Sequence, residues 1–285
     1  VSEPLIGLML GFAASVCWGI SDFIGRGAAR KVGEHTALFS VLSIAGVGIV
    51  FYTVPRGITP LTPMSGTLIV ATALVTVFGY LSLYRAFRVG MLSVVSGIAS
   101  CNAVIPVVLA LIFLGERPLP WQMGGVVVVI VGVVLLSLGK ISHLPAGTHS
   151  FGVGPALLTM VLFGMGLFGM KLSVDATSPE TVALLVRLIG IVVLGIWMWA
   201  TGRLKMPPTE IRATLLWAGL LDAAAFVLFC EALTHTMLSL IAPISSTIPV
   251  TTVALAYFLL HERMHKRQWL GLALALPGVT LVAVS

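Results

Sequence analysis

Charge is what this chain most lacks. Asp, Glu, Lys and Arg make up 9% of its 285 residues, against about 25% in a soluble domain. That deficit leaves too little polar surface to cover a water-soluble globule. Cysteine is nearly absent too. Cys17, Cys101 and Cys230 each sit inside an apolar run with no CxxC pair, which excludes a disulfide framework and points to packing roles. No H-E-x-x-H, P-loop or Gly-x-Ser-x-Gly occurs, and all six histidines fall in or near loops. Asp22 and Asp222 lie about 9 Å apart in depth at a helical rise of 1.5 Å per residue, and neither has a G-x-G-D context. An enzyme, a metal site and a cofactor are therefore not expected.

Apolar length is what the chain has. It is 58% hydrophobic, and windows near the ~20 residues needed to cross a hydrocarbon core recur from end to end. Ten stand out, at roughly 5–24, 36–54, 67–87, 91–114, 121–139, 151–172, 181–199, 213–233, 237–260 and 268–284. The expected fold class is an all-α polytopic membrane protein. The first window lacks a basic leader and an A-x-A-like cleavage site, so it reads as a retained span rather than a signal peptide. All connections are short, and the longest, around 140–150, has no room for a folded domain. Whatever this chain does happens within or across the bilayer, and lipid is its first partner.

The chain also resembles itself. Shifted by 146 positions, "MLSVVSGIAS" (91–100) falls on "MLSLIAPISS" (237–246), and "LGERPLPWQMGG" (114–125) on "LHERMHKRQWLG" (260–271). About 18 of 50 positions match between 86–135 and 232–281. Apolar matches come cheaply, so the weight rests on Glu116-Arg117 with Glu262-Arg263, Gln122 with Gln268, Gly125 with Gly271, and Gly132 with Gly278. Each half, 1–142 and 143–285, then holds five helices. An odd number sends the second half in from the opposite face, giving two inverted five-helix repeats around a central cavity. That arrangement is a hallmark of secondary transporters.

The net charge of +6 reads as topology, not as a nucleic-acid footprint. Loops after odd-numbered windows hold most of the Lys and Arg, among them Arg26, Arg85, Lys140, Arg203 and Arg267; those after even-numbered windows hold only Arg56, Arg117 and Lys171. The positive-inside rule places the odd-loop face in the cytoplasm and both termini outside.

"CWGISDFIGRGAARK", "YRAFRVGMLSVVSGIAS", "GERPLPWQMGG", "CEALTHTMLSLIAPISSTIPV" and "HERMHKRQWLG" together resemble the EamA-like branch of the drug/metabolite transporter superfamily. The resemblance covers essentially the whole chain. It implies ten helices, with 1–4 and 6–9 around a central cavity and 5 and 10 at the periphery. It also implies carriage of small organic molecules, often export of amino acids or other metabolites. Two features depart from it. His261 stands where the first copy has Gly115, and the resemblance implies termini in the cytoplasm, opposite to the loop charges.

Polar residues within the windows are the candidate site. Asp222 lies about 16 Å deep, measured from the face where the first window starts, and Arg187 about 9 Å deep on the preceding window. They are the natural buried pair, either locking two helices or contacting substrate, and Asp222 is the candidate proton carrier. Arg85 maps onto Glu231 in the repeat, and Asp22 lies level with Arg85 as Lys171 does with Glu231. Asp22–Arg85 and Lys171–Glu231 are the expected alternating gates. Ser93, Ser96 and Ser100 share one helical face by their i, i+3, i+7 spacing. With Asn102, Ser245 and Ser246 they are candidates to line the cavity, and Trp18 and Tyr80 to wall it. Pro106, Pro243 and Pro249 remove backbone donors where a break is tolerated beside a cavity.

The function expected is an alternating-access carrier of a small polar or amphipathic metabolite in the cytoplasmic (inner) membrane, facilitated or proton-coupled and working as a monomer. A small-solute channel and a multidrug or cation antiporter are the alternatives.

Overall fold

In lipid a helix satisfies its backbone N–H and C=O groups internally, with no water to help. The computed structural model describes residues 3–89, 98–137, 152–260 and 265–283, and their regular structure is all helical. Ser93, Ser96 and the 142/143 boundary lie outside the described residues. The first half contains α1 (Glu3–Val32), α2 (Glu34–Thr53), α3 (Pro63–Val89), α4 (Val104–Phe113) and α5 (Pro120–Ser137). The second contains α6 (Val153–Ala176), α7 (Pro179–Ala200), α8 (Thr209–His235), α9 (Leu238–Ser245), α10 (Ile248–Leu260) and α11 (Lys266–Ala283). Helices α9 and α10 are two pieces of one interrupted crossing.

Eight crossings are long and apolar enough to span a membrane, counting Leu238–Leu259 as one. The other two are the short apolar helix Cys101–Phe113 and α11, which opens on Lys266 and Arg267. The outer surface suits lipid, since Phe51 is 76% exposed and Trp199 75%.

The halves are inverted copies. α1 packs along α8 as α3 packs along α6, and α2 meets α8 as α7 meets α3. Counterpart helices run antiparallel in three pairs. Thr53 donates to the Glu180 carbonyl at one end of α2–α7, while Phe39 meets Gly195 at the other. Glu116 bonds the start of α9, while Asn102, ahead of α4, meets Ser246 at its end. Gly125 packs on Val282, and Gly132 on Ala275, along α5–α11.

The Q..G part of the doubled pattern has a physical account, while Glu262 and Arg263 lie outside the described residues. Each glutamine caps its own peripheral helix by reaching back three residues: Gln122 Oε1 accepts from Leu119 N–H at 2.9 Å and Gln268 Oε1 from His265 N–H at 3.0 Å. This is the returning half of a capping box. The glycines let α5 and α11 touch backbone to backbone. A Cβ on Gly132 would come within 2.6 Å of the Ala275 nitrogen, and one on Gly271 within 2.6 Å of the Gly132 carbonyl oxygen. Such close approach is how helices associate where lipid supplies no hydrophobic drive. Glu116 does something else, crossing to the other half: its two oxygens accept from Leu238 N–H and Ser239 N–H, both at 2.8 Å.

Because the obstacle at Gly132 is backbone, Gly132→Val cannot be accommodated by turning a side chain. Overpacking of this kind costs about 1–3 kcal/mol. The variant should melt several degrees below the parent in detergent, whereas Gly124→Val, whose Cβ meets open space, should not. Equal melting temperatures for the two would contradict the contact.

Candidate functional site

One cavity of about 230 Å³ lies between the halves. Its walls come from α1, α2, α3, α6, α7 and α8 and from the irregular stretches of the fourth and ninth crossings. Those irregularities occupy equivalent places. A 3-10 turn spans Ser100–Ala103 before α4, and α9 ends at Ser245, with α10 beginning at Ile248, 146 positions on. Pro249, lacking an N–H, cannot bond back to Ser245, which suits the interruption. At the crossing of the two breaks the Ser246 hydroxyl donates to Asn102 Oδ1 at 3.3 Å. Ser15 and Thr247 share a hydrogen bond of 2.9 Å that ties α1 to the same point. Ser245 is 2% exposed and donates to its own helix at Ala242.

Arg187 and Asp222 stand at the cavity wall on neighbouring helices. The guanidinium Nη2 lies 2.8 Å from Asp222 Oδ2, and the two side chains are 6% and 8% exposed. The contact is ionic rather than a well-aligned hydrogen bond, because Asp222 Oδ2 and Arg187 Nε both lack a hydrogen-bond partner. Arg187 also sits over the Phe226 ring, 4.3 Å from its centroid. Trp18 is within hydrogen-bonding reach of Asp222, and Tyr80 of Arg187. A charge placed in hydrocarbon has to be paired or hydrated; here it is paired at 2.8 Å and set against aromatic rings, with Arg187 Nε and Asp222 Oδ2 themselves buried.

Of the residues expected from sequence, Trp18, Tyr80, Asn102, Arg187, Asp222, Ser245 and Ser246 line this cavity together, and Asp22 joins them. Ser96 lies outside the described residues, and of Ser100 only the backbone is described, in the 3-10 turn. Arg85 is exposed and lines a separate apolar groove with Phe78 and Leu162 on the outer side of α3–α6. Lys171 and Glu231 are each engaged elsewhere. Lys171 Nζ bonds Asp175 Oδ1 at 2.7 Å and the Leu233 carbonyl at 3.0 Å, while Glu231 accepts from Tyr52 Oη at 3.0 Å. The ion pair of Lys171 is with Asp175 on its own helix rather than with Glu231.

The two faces differ. On the even-loop side the main apolar cluster, including Ile49, Val174, Phe229, Leu233 and Ile241, fills the space between the halves. Glu116, Tyr52–Glu231 and Lys171 lie around it. On the odd-loop side the described apolar clusters are separate and small, as around Ala28–Leu215 and Leu42–Met198. Asp22 is exposed there while lining the cavity. Among the described residues, packed side chains close the cavity toward the even-loop face, while Asp22 and Leu83 carry its lining toward the odd-loop face.

Sequence reasoning missed Phe226, Thr76 and Glu116. Phe226 was findable, one turn beyond Asp222 on the same helical face. Thr76 likewise lies one turn before Tyr80. Glu116 stood in the doubled pattern, but its partners are backbone amides, which no side-chain pairing rule reveals.

Among solved structures, a crystal structure of a protein superimposes with a TM-score of 0.81, covering 96% of this chain and 95% of that one at 15% identity. At that identity it speaks for the fold alone. An uncharacterized protein of Methanocaldococcus jannaschii is 30% identical over 137 residues, 47% of this chain and 97% of that protein. The matched length is that of a single repeat. The profile of the EamA-like transporter family matches twice, over residues 5–138 and 150–284. Covered in both halves by that profile, and built as a multi-pass helical bundle, the chain belongs to the EamA-like transporter family and is a membrane transport protein rather than an enzyme.

Proposed function

We propose that this chain is an alternating-access secondary transporter for a small polar or amphipathic metabolite, an amino acid or similar solute, in the cytoplasmic membrane. The observation that supports this reading is a cavity between two inverted halves that, among the described residues, is closed by packed side chains toward one face and lined by Asp22 and Leu83 toward the other. Two similar halves of opposite orientation have two near-equivalent packings, each opening the cavity to one side. A channel needs no such seal. The volume of about 230 Å³ lies just below the roughly 300–1,000 Å³ of sites for drug-sized ligands, which favours a small solute over multidrug transport. Family membership supports transport of a small molecule; the substrate class rests on the lining alone.

Trp18, Tyr80 and Phe226 offer aromatic area, and Asn102, Ser245 and Ser246 offer hydrogen bonds. With Arg187 and Asp222 paired, their two charges do not by themselves select a zwitterion. A substrate that engages either one must compete with its partner. The proposed working unit is a monomer of two halves, 1–142 and 143–285, since residues of both halves line the cavity. Asp22 belongs to the open mouth, Lys171 and Glu231 to the closed end. Asp222 is the candidate proton carrier.

In proteoliposomes loaded for a metabolite uptake screen, an imposed pH gradient should stimulate uptake of the transported solute. Asp222→Asn should abolish that stimulation while leaving exchange without a gradient measurable. Parent uptake indifferent to the gradient would remove the proton from the scheme. No uptake of any solute, alongside conductance in planar bilayers, would replace the carrier with a channel.

The ion pair's structural and transport roles separate in a double-mutant cycle. Removing one partner strands a buried charge and costs about 3–5 kcal/mol, whereas replacing both with apolar groups is often neutral. Arg187→Met and Asp222→Leu should each lower the thermal midpoint, and the double variant should regain most of the loss yet remain inactive. A stable, fully active double variant would leave the pair no part in transport.

A further inference from the structure

The Glu116 carboxylate stands apart from the glutamines and glycines of the doubled pattern. Its glutamine and glycine companions act within or between the peripheral helices, but Glu116 reaches from the end of α4 to the first amides of α9. Those amides need an acceptor. The residue preceding α9, Met237, supplies no side-chain cap, and the first N–H groups of a helix have no partner within it. A carboxylate there accepts two bonds and meets the positive end of the helix dipole. Local geometry aims it. Gly115 adopts a φ of +65° and turns the chain at the end of α4, and Glu116 N–H bonds back to the Ala110 carbonyl at 3.3 Å.

Position makes this more than a cap. α4 and the α9–α10 crossing are the elements whose interruptions meet at the cavity, and they run antiparallel. One end of the pair is the Asn102–Ser246 contact beside the cavity. The other is Glu116 on Leu238 and Ser239, at the sealed even-loop face. Leu238 is fully buried and belongs to the apolar cluster that fills this face. Glu116 itself is half-buried, so its carboxylate can take up water once the face parts.

We propose that Glu116 is a gating residue, a latch that holds the even-loop face shut by capping the interrupted ninth crossing of the opposite half. The proposal rests on the alternating-access reading, in which that face must open and close. Release exchanges two charge-assisted hydrogen bonds for hydration of the carboxylate and the amides. The seal therefore opens without leaving a charge bare in lipid.

The native Cys230, fully buried in the even-face cluster, is a reporter of the seal. Leu83→Cys reports the other side, since Leu83 lines the cavity beside the odd-loop mouth. In a background carrying Cys17→Ser and Cys101→Ser, with Cys230→Ser added for the Leu83→Cys reporter, labelling by a small thiol reagent is timed in proteoliposomes.

With Glu116→Ala, Cys230 should label about tenfold faster or more, the scale of losing a hydrogen bond to a charged group. Leu83→Cys should label more slowly, because opening one face closes the other. Glu116→Gln, which keeps an acceptor without the charge, should fall between. A general loosening of the fold would speed both reporters, and that result overturns the proposal. An unchanged Cys230 rate in Glu116→Ala overturns it too, while leaving alternating access intact if the parent labels at both positions. A parent in which Cys230 never reacts, in detergent or in lipid, at any pH where it stays folded, overturns the latch and the alternating-access reading together.

Discussion

A backbone crossing lipid has to satisfy its own hydrogen bonds, and this bundle departs from that rule where two interrupted crossings meet. The turn at Ser100–Ala103 and the break after Ser245 occupy equivalent repeat positions. Neither could face hydrocarbon without leaving carbonyls and amides bare. Turned toward each other and toward a cavity, they can. The side-chain bonds from Ser246 to Asn102 and between Ser15 and Thr247 hold the junction. The cavity, its polar lining and the packing of the surrounding helices follow from that constraint.

The ion pair beside the junction obeys a related economy. Arg187 and Asp222 would each be intolerable alone at this depth, and together they cost far less. They are not fully satisfied, however, for Arg187 Nε and Asp222 Oδ2 lack hydrogen-bond partners. A pair serving only to lock α7 to α8 would gain from completing its bonds. Both side chains line the cavity, so whatever disturbs one charge there is felt by its partner. The aromatic groups around the pair, Trp18, Tyr80 and Phe226, keep the local dielectric low and so make each such contact count.

The fold was legible in the sequence because its signals are long and redundant. Window length decides a membrane span almost unaided, and the shared spacing from Glu116 to Gly132 and from Glu262 to Gly278 exposed the repeat. The site was legible in outline for a similar reason. A charge such as Asp222 within an apolar run has few places to go, and depth arithmetic put Arg187 beside it. The expected pairing failed where level charges had nearer partners. Lys171 and Glu231 lie level and carry opposite charge, yet Lys171 turns to Asp175 and a backbone carbonyl, and Glu231 to a tyrosine. Depth along the membrane normal does not report direction around the helix, which is why Arg85 matched Asp22 in height but lines a different, lipid-facing groove.

All of this turns on the halves exchanging roles about the cavity. Electron–electron resonance distances in lipid nanodiscs test that most directly, with one spin-label pair on each face. Met64→Cys with Thr234→Cys spans the sealed even-loop face, and Leu158→Cys with Glu210→Cys the odd-loop face. Samples frozen from acid and from alkaline buffer should each show two distance populations per pair. Whatever lengthens one pair should shorten the other. Single, unchanging distances on both faces, or distances that lengthen together, would contradict the account.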